Sequence, residues 1–244
     1  MTSSREIKIF SNARELAEAF AQELYETVKN TSQRFDIALS GGSTPKLLFE
    51  VLARSYASKM PWERVHFWWG DERCVPPTSE ESNYGMTQKH LLSKVNLAEN
   101  QVHRVKGELN PEEATRDYID EIKSNLKERD GWPVFDLIIL GMGDDGHTAS
   151  IFPHEMNLLK SNQVCEVATH PVSGQKRVSL TGKTINNADR IYFLISGKAK
   201  ASRMAEIINN TEEANKLPTT HIQVAQGSVT FFLDQDAASE IENN

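Results

Sequence analysis

A short apolar run that ends in a glycine-rich turn is the feature that most limits the fold of this chain. Leu137 to Leu140 are four consecutive apolar residues, which is typical of a strand buried on both faces of a parallel sheet. Residues 141–146, Gly-Met-Gly-Asp-Asp-Gly, follow, and glycines permit tight turns and close approach of the backbone to a ligand. His147 comes directly afterwards. Because open α/β sheets bind ligands beyond the carboxyl ends of their strands, the pattern predicts a site around His147.

Two other interpretations of this segment have to be weighed. Residues 141–146 fit the Gly-x-Gly-x-x-Gly fingerprint of dinucleotide-binding proteins, which requires a helix beginning at the third glycine to hold the pyrophosphate. Here Pro153 follows within a few residues, and Asp144 and Asp145 place two negative charges where the phosphates would lie. These features weigh against a dinucleotide. The second alternative, that His147 is merely hydrogen-bonded within a loop, is left open by the motif alone.

Strand-like and helix-like segments alternate along most of the chain. Strands are predicted at 7–10, 35–39, 65–69, 102–105, 137–140, 164–168, 177–181, 191–195 and 229–233, with helical patterns at 11–30, 45–52, 84–94, 111 to about 130, and 199–208. The alternation predicts an α/β fold, a three-layer α/β/α sandwich with a mostly parallel sheet. No repeat or linker interrupts the 244 residues, so we expect a single domain over residues 1–244.

Composition excludes several classes of function. A net charge of −7 argues against a general nucleic-acid surface. The first residues lack the apolar core of a secretory signal, and no run approaches the roughly 20 apolar residues that span a bilayer. Cys74 and Cys165 stand alone, which predicts neither a disulfide framework nor a zinc cluster. We therefore expect a cytoplasmic protein that needs no metal. The sequence does not reveal its oligomeric state.

Three further segments combine glycine or charge with the end of a predicted strand. Residues 40–45, Ser-Gly-Gly-Ser-Thr-Pro, join a strand to a helix, an arrangement that binds phosphate through backbone N–H groups and hydroxyls. The alternative is an ordinary turn capped by Ser43 or Thr44. Residues 70–73, Gly-Asp-Glu-Arg, are either part of a site or a solvated turn. Lys198 at the 196–198 junction favours an anion, although a surface lysine is the commoner case.

Five segments in this order and spacing carry a resemblance to a known family: SGGSTP, GDER, GMGDDGHTASIFP, RVSLT and SGKAK. Together they resemble the 6-phosphogluconolactonases over about residues 35–233. The wider superfamily includes the glucosamine-6-phosphate deaminases, so the resemblance implies a Rossmann-like α/β fold. The deaminases carry a Met-Asp-Glu-Tyr-like segment in place of 70–73 and a Gly-His-Ile-Ala-Phe-Asn-Glu-like segment in place of 146–152. Both segments of this chain resemble the lactonases.

The resemblance implies hydrolysis of 6-phospho-D-glucono-1,5-lactone to 6-phosphogluconate, a step of the oxidative pentose phosphate pathway, without a cofactor. A lactone carbonyl needs an activated water and some stabilisation of the oxyanion, and no covalent intermediate. Histidine is the side chain that exchanges protons near neutral pH. His147 is therefore the candidate that takes a proton from water and returns it to the departing ring oxygen.

The family resemblance also implies a phosphate pocket and a place for the sugar ring. It puts Gly42, Ser43 and Thr44 around the phosphate, with Arg177 and Lys198 supplying positive charge. Arg177 begins its predicted strand, so it has to reach the site from a neighbouring loop or an antiparallel edge.

Asp71 and Arg73 are implied near the ring. Asp71 could orient His147 or bind ring hydroxyls, and Arg73 could bind substrate or hold Asp71. Asp144 and Asp145 are interpreted mainly as turn formers, one of which could help to orient the histidine.

Two other functions remain as alternatives. One is an amino-sugar phosphate isomerase-deaminase, which the two distinguishing segments disfavour. The other is a non-enzymatic sugar-phosphate sensor, since this fold also serves as an effector domain in some regulators. The chain has neither spare length nor a basic helix for a DNA-binding module. The expected partner is a small sugar-phosphate lactone, with no nucleic acid and no membrane.

Overall fold

The computed structural model describes residues 5–224 and 226–241. Its strands are β1 (Arg5–Phe10), β2 (Phe35–Leu39), β3 (Val65–Trp69), β4 (Asp71–Arg73), β5 (Lys127–Arg129), β6 (Trp132–Val134), β7 (Leu137–Leu140), β8 (Cys165–Thr169), β9 (Lys176–Leu180), β10 (Arg190–Ile195) and β11 (Ser228–Asp234). Its α-helices are α1 (Ala13–Lys29), α2 (Ser43–Ser55), α3 (Asn83–His90), α4 (Pro111–Asn125), α5 (Gly182–Asn186) and α6 (Ala201–Ile208). No helix in the described ranges is long and apolar enough to cross a bilayer.

Six strands form one parallel sheet in the order β1-β11-β10-β7-β2-β3. The direction of winding reverses between β2 and β7. From β2 the chain moves outward to β3, whereas from β7 it moves the other way to β10 and β11. A reversal of this kind opens a crevice at the carboxyl ends of the two central strands. The predicted mostly parallel sheet is confirmed, and its crevice lies where the two glycine-rich segments begin.

Helices cover both faces of the parallel sheet, which confirms the three-layer arrangement. Side chains along β7 alternate between the two cores, with Leu137 and Ile139 on one side and Ile138 and Leu140 on the other. The first core contains the apolar faces of α1 and α2, and the second contains those of α4 and α6. Because β7 is buried on both faces, it needs the continuous apolar run seen in the sequence.

A small antiparallel sheet, β4-β9-β8, packs beside the carboxyl end of the main sheet. It begins immediately after β3, where Gly70 donates its N–H to Leu39 O (2.8 Å) and accepts one from Leu180 N (2.9 Å). In this sheet Arg73 stands opposite Arg177. Antiparallel pairing therefore delivers Arg177 to the same edge as residues 70–73, which is one of the two routes considered from the sequence.

The predicted strand at 102–105 is wrong. Only Val102 pairs with the sheet, through an isolated bridge to Phe67. The next side chain, His103, turns inward and hydrogen-bonds to His66 (3.0 Å) and Glu121 (2.6 Å). These bonds draw the chain toward α4, so the ladder stops after one pair.

Candidate active site

A cleft of about 180 Å³ lies beyond the carboxyl ends of β2 and β7. The backbone of the two glycine-rich segments forms one part of its wall, and polar side chains from the small sheet form another. The lining residues are Ser40, Gly41, Gly42, Asp71, Arg73, Asn83, Gly141, Met142, Gly143, His147, Ala149 and Arg177. The cleft thus occupies the switch point at which this class of fold binds its ligands.

The glycine-rich segment after β7 folds into a turn that returns on itself. Gly146 donates its N–H to Gly143 O (3.0 Å), and Gly143 donates its own to His147 O (2.9 Å). Gly146 has φ 80°, a left-handed conformation that favours glycine. No helix begins at Gly146, so the segment lacks the helix N-terminus that a dinucleotide fingerprint requires.

Asp145 orients His147. Nδ1 of the imidazole lies 2.6 Å from Asp145 Oδ1, and the His147 backbone N–H also donates to that oxygen (3.1 Å). Burial raises the pKa of the Asp145 carboxyl, but the hydrogen bonds and charge of His147 outweigh burial and lower it to about 2. An ionised carboxylate on Nδ1 favours the N–H at that atom, which leaves Nε2 to accept a proton. Among the described residues, the orienting acid is therefore Asp145 and not Asp71.

Asp71 also lines the cleft, where a serine and an asparagine hold it. It is 5% exposed, and its Oδ2 accepts a hydrogen bond from Ser150 Oγ (2.7 Å). Its main-chain carbonyl accepts another from Asn83 Nδ2 (2.9 Å). A buried carboxylate that still lines a cleft is suited to accept hydrogen bonds from hydroxyl groups of a ligand.

Two arginines face each other across the β4–β9 pair. Arg73 donates from Nη1 to Glu81 O, and the Arg177 guanidinium lies 5.5 Å from the centre of the Phe152 ring. Within the described ranges, the Nε atoms of both arginines are buried without a hydrogen-bond partner. Burial lowers the pKa of Arg177; the nearby Asp71 charge raises it and that of Arg73 lowers it further. An anion placed beside the pair would supply the missing acceptors and offset the repulsion of like charges.

The segment after β2 brings backbone groups to the same cleft. Gly42 has φ 107° and occupies the N-cap position of α2, where it has no side chain to cap the first amides. The Thr44 hydroxyl bonds to Ser196 Oγ (2.7 Å), which ties α2 to the end of β10. Ser43 is exposed at the start of α2. A bare helix N-terminus offers amide donors and partial positive charge to an anion.

The predicted site residues divide into two groups. Those that the structure brings together around the cleft are Gly42, Asp71, Arg73, His147 and Arg177. Ser43, Thr44 and Lys198 do not line it. Lys198 is exposed on the turn after β10, and the lysine that contacts the glycine-rich segment there is Lys200, in an ion pair with Asp144.

Sequence reasoning did not identify several residues that build the site. Glu72 is buried and accepts hydrogen bonds from the Asn83 and Tyr84 amides (2.8 and 2.7 Å) and from Ser82 Oγ (3.1 Å). Burial raises the pKa of Glu72, and the hydrogen bonds from backbone amides offset only part of that rise. The carboxylate thereby fixes the N-terminus of α3 to β4. The helical pattern at 84–94 was visible in the sequence, but the acidic residue that binds the start of this helix was not recognised.

Asn83 and Ser150 were also missed. The Asn83 amide packs so closely on the segment after β2 that a Cβ at Gly41 would lie 1.8 Å from its Oδ1. Ser150 connects the turn after His147 to Asp71. Both contacts join segments far apart in the chain, so no local sequence pattern predicts them.

Comparison with known proteins supports the similarity of the whole chain to one family. The family described as glucosamine-6-phosphate isomerases/6-phosphogluconolactonase matches residues 11–231. A 6-phosphogluconolactonase of Treponema pallidum is 46% identical over 202 residues, which are 83% of each chain. The human 6-phosphogluconolactonase is 36% identical over 95% of this chain and 92% of its own. The solved structure of 6-phosphogluconolactonase from Trypanosoma cruzi superposes with a TM-score of 0.87 at 28% identity, covering 100% of this chain and 99% of its own.

Proposed function

The chain belongs to the glucosamine-6-phosphate isomerase/6-phosphogluconolactonase family, and we propose that it hydrolyses 6-phospho-D-glucono-1,5-lactone to 6-phosphogluconate in the oxidative pentose phosphate pathway. This makes it a carboxylic ester hydrolase. The observation that carries the proposal is a histidine fixed by a carboxylate at Nδ1, in a cleft that two half-buried arginines also line. Such a cleft can activate water beside a dianionic substrate.

His147 acts as the general base in this mechanism. Nε2 takes a proton from water while the water oxygen attacks the lactone carbonyl carbon. The tetrahedral intermediate then collapses, the bond from that carbon to the ring oxygen breaks, and the imidazolium returns its proton to the ring oxygen. The products are the free hydroxyl and a carboxylic acid, which releases its proton to solvent at neutral pH and becomes the carboxylate. Asp145 stabilises the imidazolium that exists between the two transfers, because its carboxylate stays ionised at neutral pH.

The remaining residues bind and orient the substrate. Gly42, Ser43 and Thr44 offer amide and hydroxyl donors to the phosphate at the N-terminus of α2, and Arg177 supplies a positive charge from the small sheet. Lys198 has a long, exposed side chain that can fold over the phosphate from the turn after β10.

Asp71, which also belongs to the small sheet, accepts hydrogen bonds from ring hydroxyls. Arg73 contacts the lactone, where its positive charge favours the developing oxyanion. We place the protein in the cytoplasm.

The decisive experiment is lactone hydrolysis measured against the spontaneous background, because this lactone also opens unaided. Freshly generated substrate should disappear faster with the protein than without it, and release of ammonia from glucosamine 6-phosphate should be absent. Ammonia release would favour the deaminase. Tight binding of 6-phosphogluconate without any hydrolysis would favour a sugar-phosphate sensor.

A further inference from the structure

Ser150 lies between two charged residues of the cleft. Its side chain is fully buried, and Oγ is 2.7 Å from Asp71 Oδ2 and 3.5 Å from Arg177 Nη1. A hydroxyl has one proton to donate and lone pairs to accept. Ser150 therefore gives its proton to the carboxylate and turns a lone pair to the guanidinium, and a single oxygen connects the two groups.

The backbone around Ser150 is fixed as firmly as its side chain. Residues 148–151 form a tight turn in which Ile151 donates its N–H to Thr148 O (2.9 Å). Ala149 adopts φ 48° in this turn, a left-handed conformation that is unfavourable for a residue with a Cβ. The Ser150 N–H donates to Ser179 Oγ (3.1 Å), which anchors the turn to β9. A strained conformation persists only when its surroundings hold it, so the position of Ser150 is strongly determined.

The geometry does not suit Ser150 to act as a nucleophile. A serine nucleophile needs an adjacent general base and an exposed oxygen. Ser150 Oγ is fully buried, and in the described part of the chain the imidazole of His147 bonds to Asp145 and not to Ser150. Simple core packing is the remaining alternative, and it does not account for a hydroxyl placed between a carboxylate and a guanidinium.

We propose that Ser150 is a positioning residue, which holds the Asp71 carboxylate and the Arg177 guanidinium in the orientation that receives the sugar phosphate. This inference rests on the proposed function. Without the hydroxyl, Asp71 loses a donor and can rotate toward the adjacent guanidinium, where it would no longer face the ring hydroxyls of a ligand. Ser150 thus acts through Asp71 and does not touch the substrate.

A double-mutant cycle tests the proposal. We expect Ser150→Ala to lower kcat/KM for the lactone and the affinity for 6-phosphogluconate by about tenfold, since removing a hydrogen bond to a charged group typically has an effect of this order. In an Asp71→Asn background, Ser150→Ala should lower kcat/KM and the affinity for 6-phosphogluconate by less than about threefold. The matched control is Thr184→Val, which removes a fully buried hydroxyl in α5, away from the cleft, and should leave both quantities within about twofold of wild type.

Two results would overturn the proposal: wild-type values in Ser150→Ala, or the same loss in both backgrounds, which indicates a purely structural role. If Ser150→Ala fails to fold, Ser150→Cys keeps a weak donor of similar size and should show a smaller loss with the same dependence on Asp71. Calorimetry with 6-phosphogluconate separates this proposal from the proposed function, because coupling between Ser150 and Asp71 remains measurable even if wild type hydrolyses no lactone.

Discussion

The imidazole of His147 lies directly against Gly143, and a Cβ at position 143 would come within 2.1 Å of Nδ1 and 2.7 Å of Asp145 Oδ1. Cβ atoms do not approach other atoms so closely, so only glycine leaves room for the histidine and its carboxylate together. Gly143 also donates its N–H to the His147 carbonyl. One glycine thus fixes both the position of the proposed base and the space for its partner.

Replacing Gly143 with alanine should displace the imidazole and lower kcat by about 100-fold, because a misplacement of about 1 Å can cost that much. The matched control is Gly70→Ala, where the nearest atom to a new Cβ, Leu39 O, lies at an ordinary 3.6 Å. Steady-state kinetics and thermal melting of both variants provide the measurement. A folded Gly143→Ala protein with normal kcat would show that the ring can move without harm.

His147→Ala should lower kcat by roughly 10²–10⁴-fold, the usual contribution of a positioned acid-base group. KM should change much less, since the proposed phosphate contacts come from other residues. His154→Ala serves as a control, because His154 is half exposed and does not line the cleft. Near-normal kcat in a folded His147→Ala protein would exclude this histidine as the base.

Asp145 should make the stability of the protein depend on pH in the acid range. Its pKa is about 2 in the folded state, below the ordinary 3.8 expected after unfolding. A group of this kind stabilises the fold above its unfolded pKa and loses that contribution as pH falls through the folded value. The difference in the free energy of unfolding between wild type and Asp145→Asn should therefore shrink as pH falls from 5 toward 2.

Urea denaturation of the two proteins, from about pH 5 to the lowest pH at which both still fold, measures this difference. A difference that stays constant across that range would mean that Asp145 gains nothing from its ionised form in the folded protein.

Arg177→Ala should weaken the binding of 6-phosphogluconate by roughly tenfold to a hundredfold, about 1.5–3 kcal/mol, and the binding of gluconate far less. Lys198→Ala should show the same preference if its side chain reaches the phosphate. Calorimetry with both ligands is the measurement, with Lys183→Ala as a remote surface-lysine control. Equal weakening of both ligands would indicate general damage to the cleft, and unchanged binding in Lys198→Ala would remove that lysine from the site.

Lactonase activity should survive dialysis against EDTA. Within residues 5–224 and 226–241, no three His, Cys, Asp or Glu side chains are grouped as a metal would require, and the proposed mechanism needs only one base and a water. Activity should be assayed before and after dialysis, with Zn²⁺, Mg²⁺ and Mn²⁺ each added back. Loss of activity that one of these ions restores would overturn the metal-independent mechanism.

The central strands of the main sheet were predictable from the sequence because most of their residues are apolar. Predicted strands 35–39, 65–69 and 137–140 have the same bounds as β2, β3 and β7. The three-residue strands β4, β5 and β6 were not predicted, because such short segments show no periodicity and owe their conformation to their partners. The helix predicted from 111 to about 130 was too long, since it ends at Asn125 and residues 127–129 form β5. That the chain forms a single domain stays a prediction.

The site was predictable from the sequence only where its residues are close together along the chain. His147 and its neighbouring acids stand in one turn, so their proximity followed from the chain, although the choice of Asp145 over Asp144 did not. The bond from Ser150 to Asp71 joins residues 79 positions apart. Its formation depends on how the turn after β7 packs against the small sheet, and no pattern in either segment encodes that packing.

The proposed base and the two arginines belong to different sheets. His147 follows β7, a central strand of the parallel sheet. Arg73 and Arg177 belong to β4 and β9 of the small antiparallel sheet beside it. Proton transfer and anion binding therefore depend on different sheets, which the hydrogen bonds of Ser150 to Ser179 and to Asp71 connect. A displacement of the small sheet by a fraction of an ångström would move the two arginines directly and would reach His147 only through the turn at 148–151, so activity can be lost before the larger sheet unfolds.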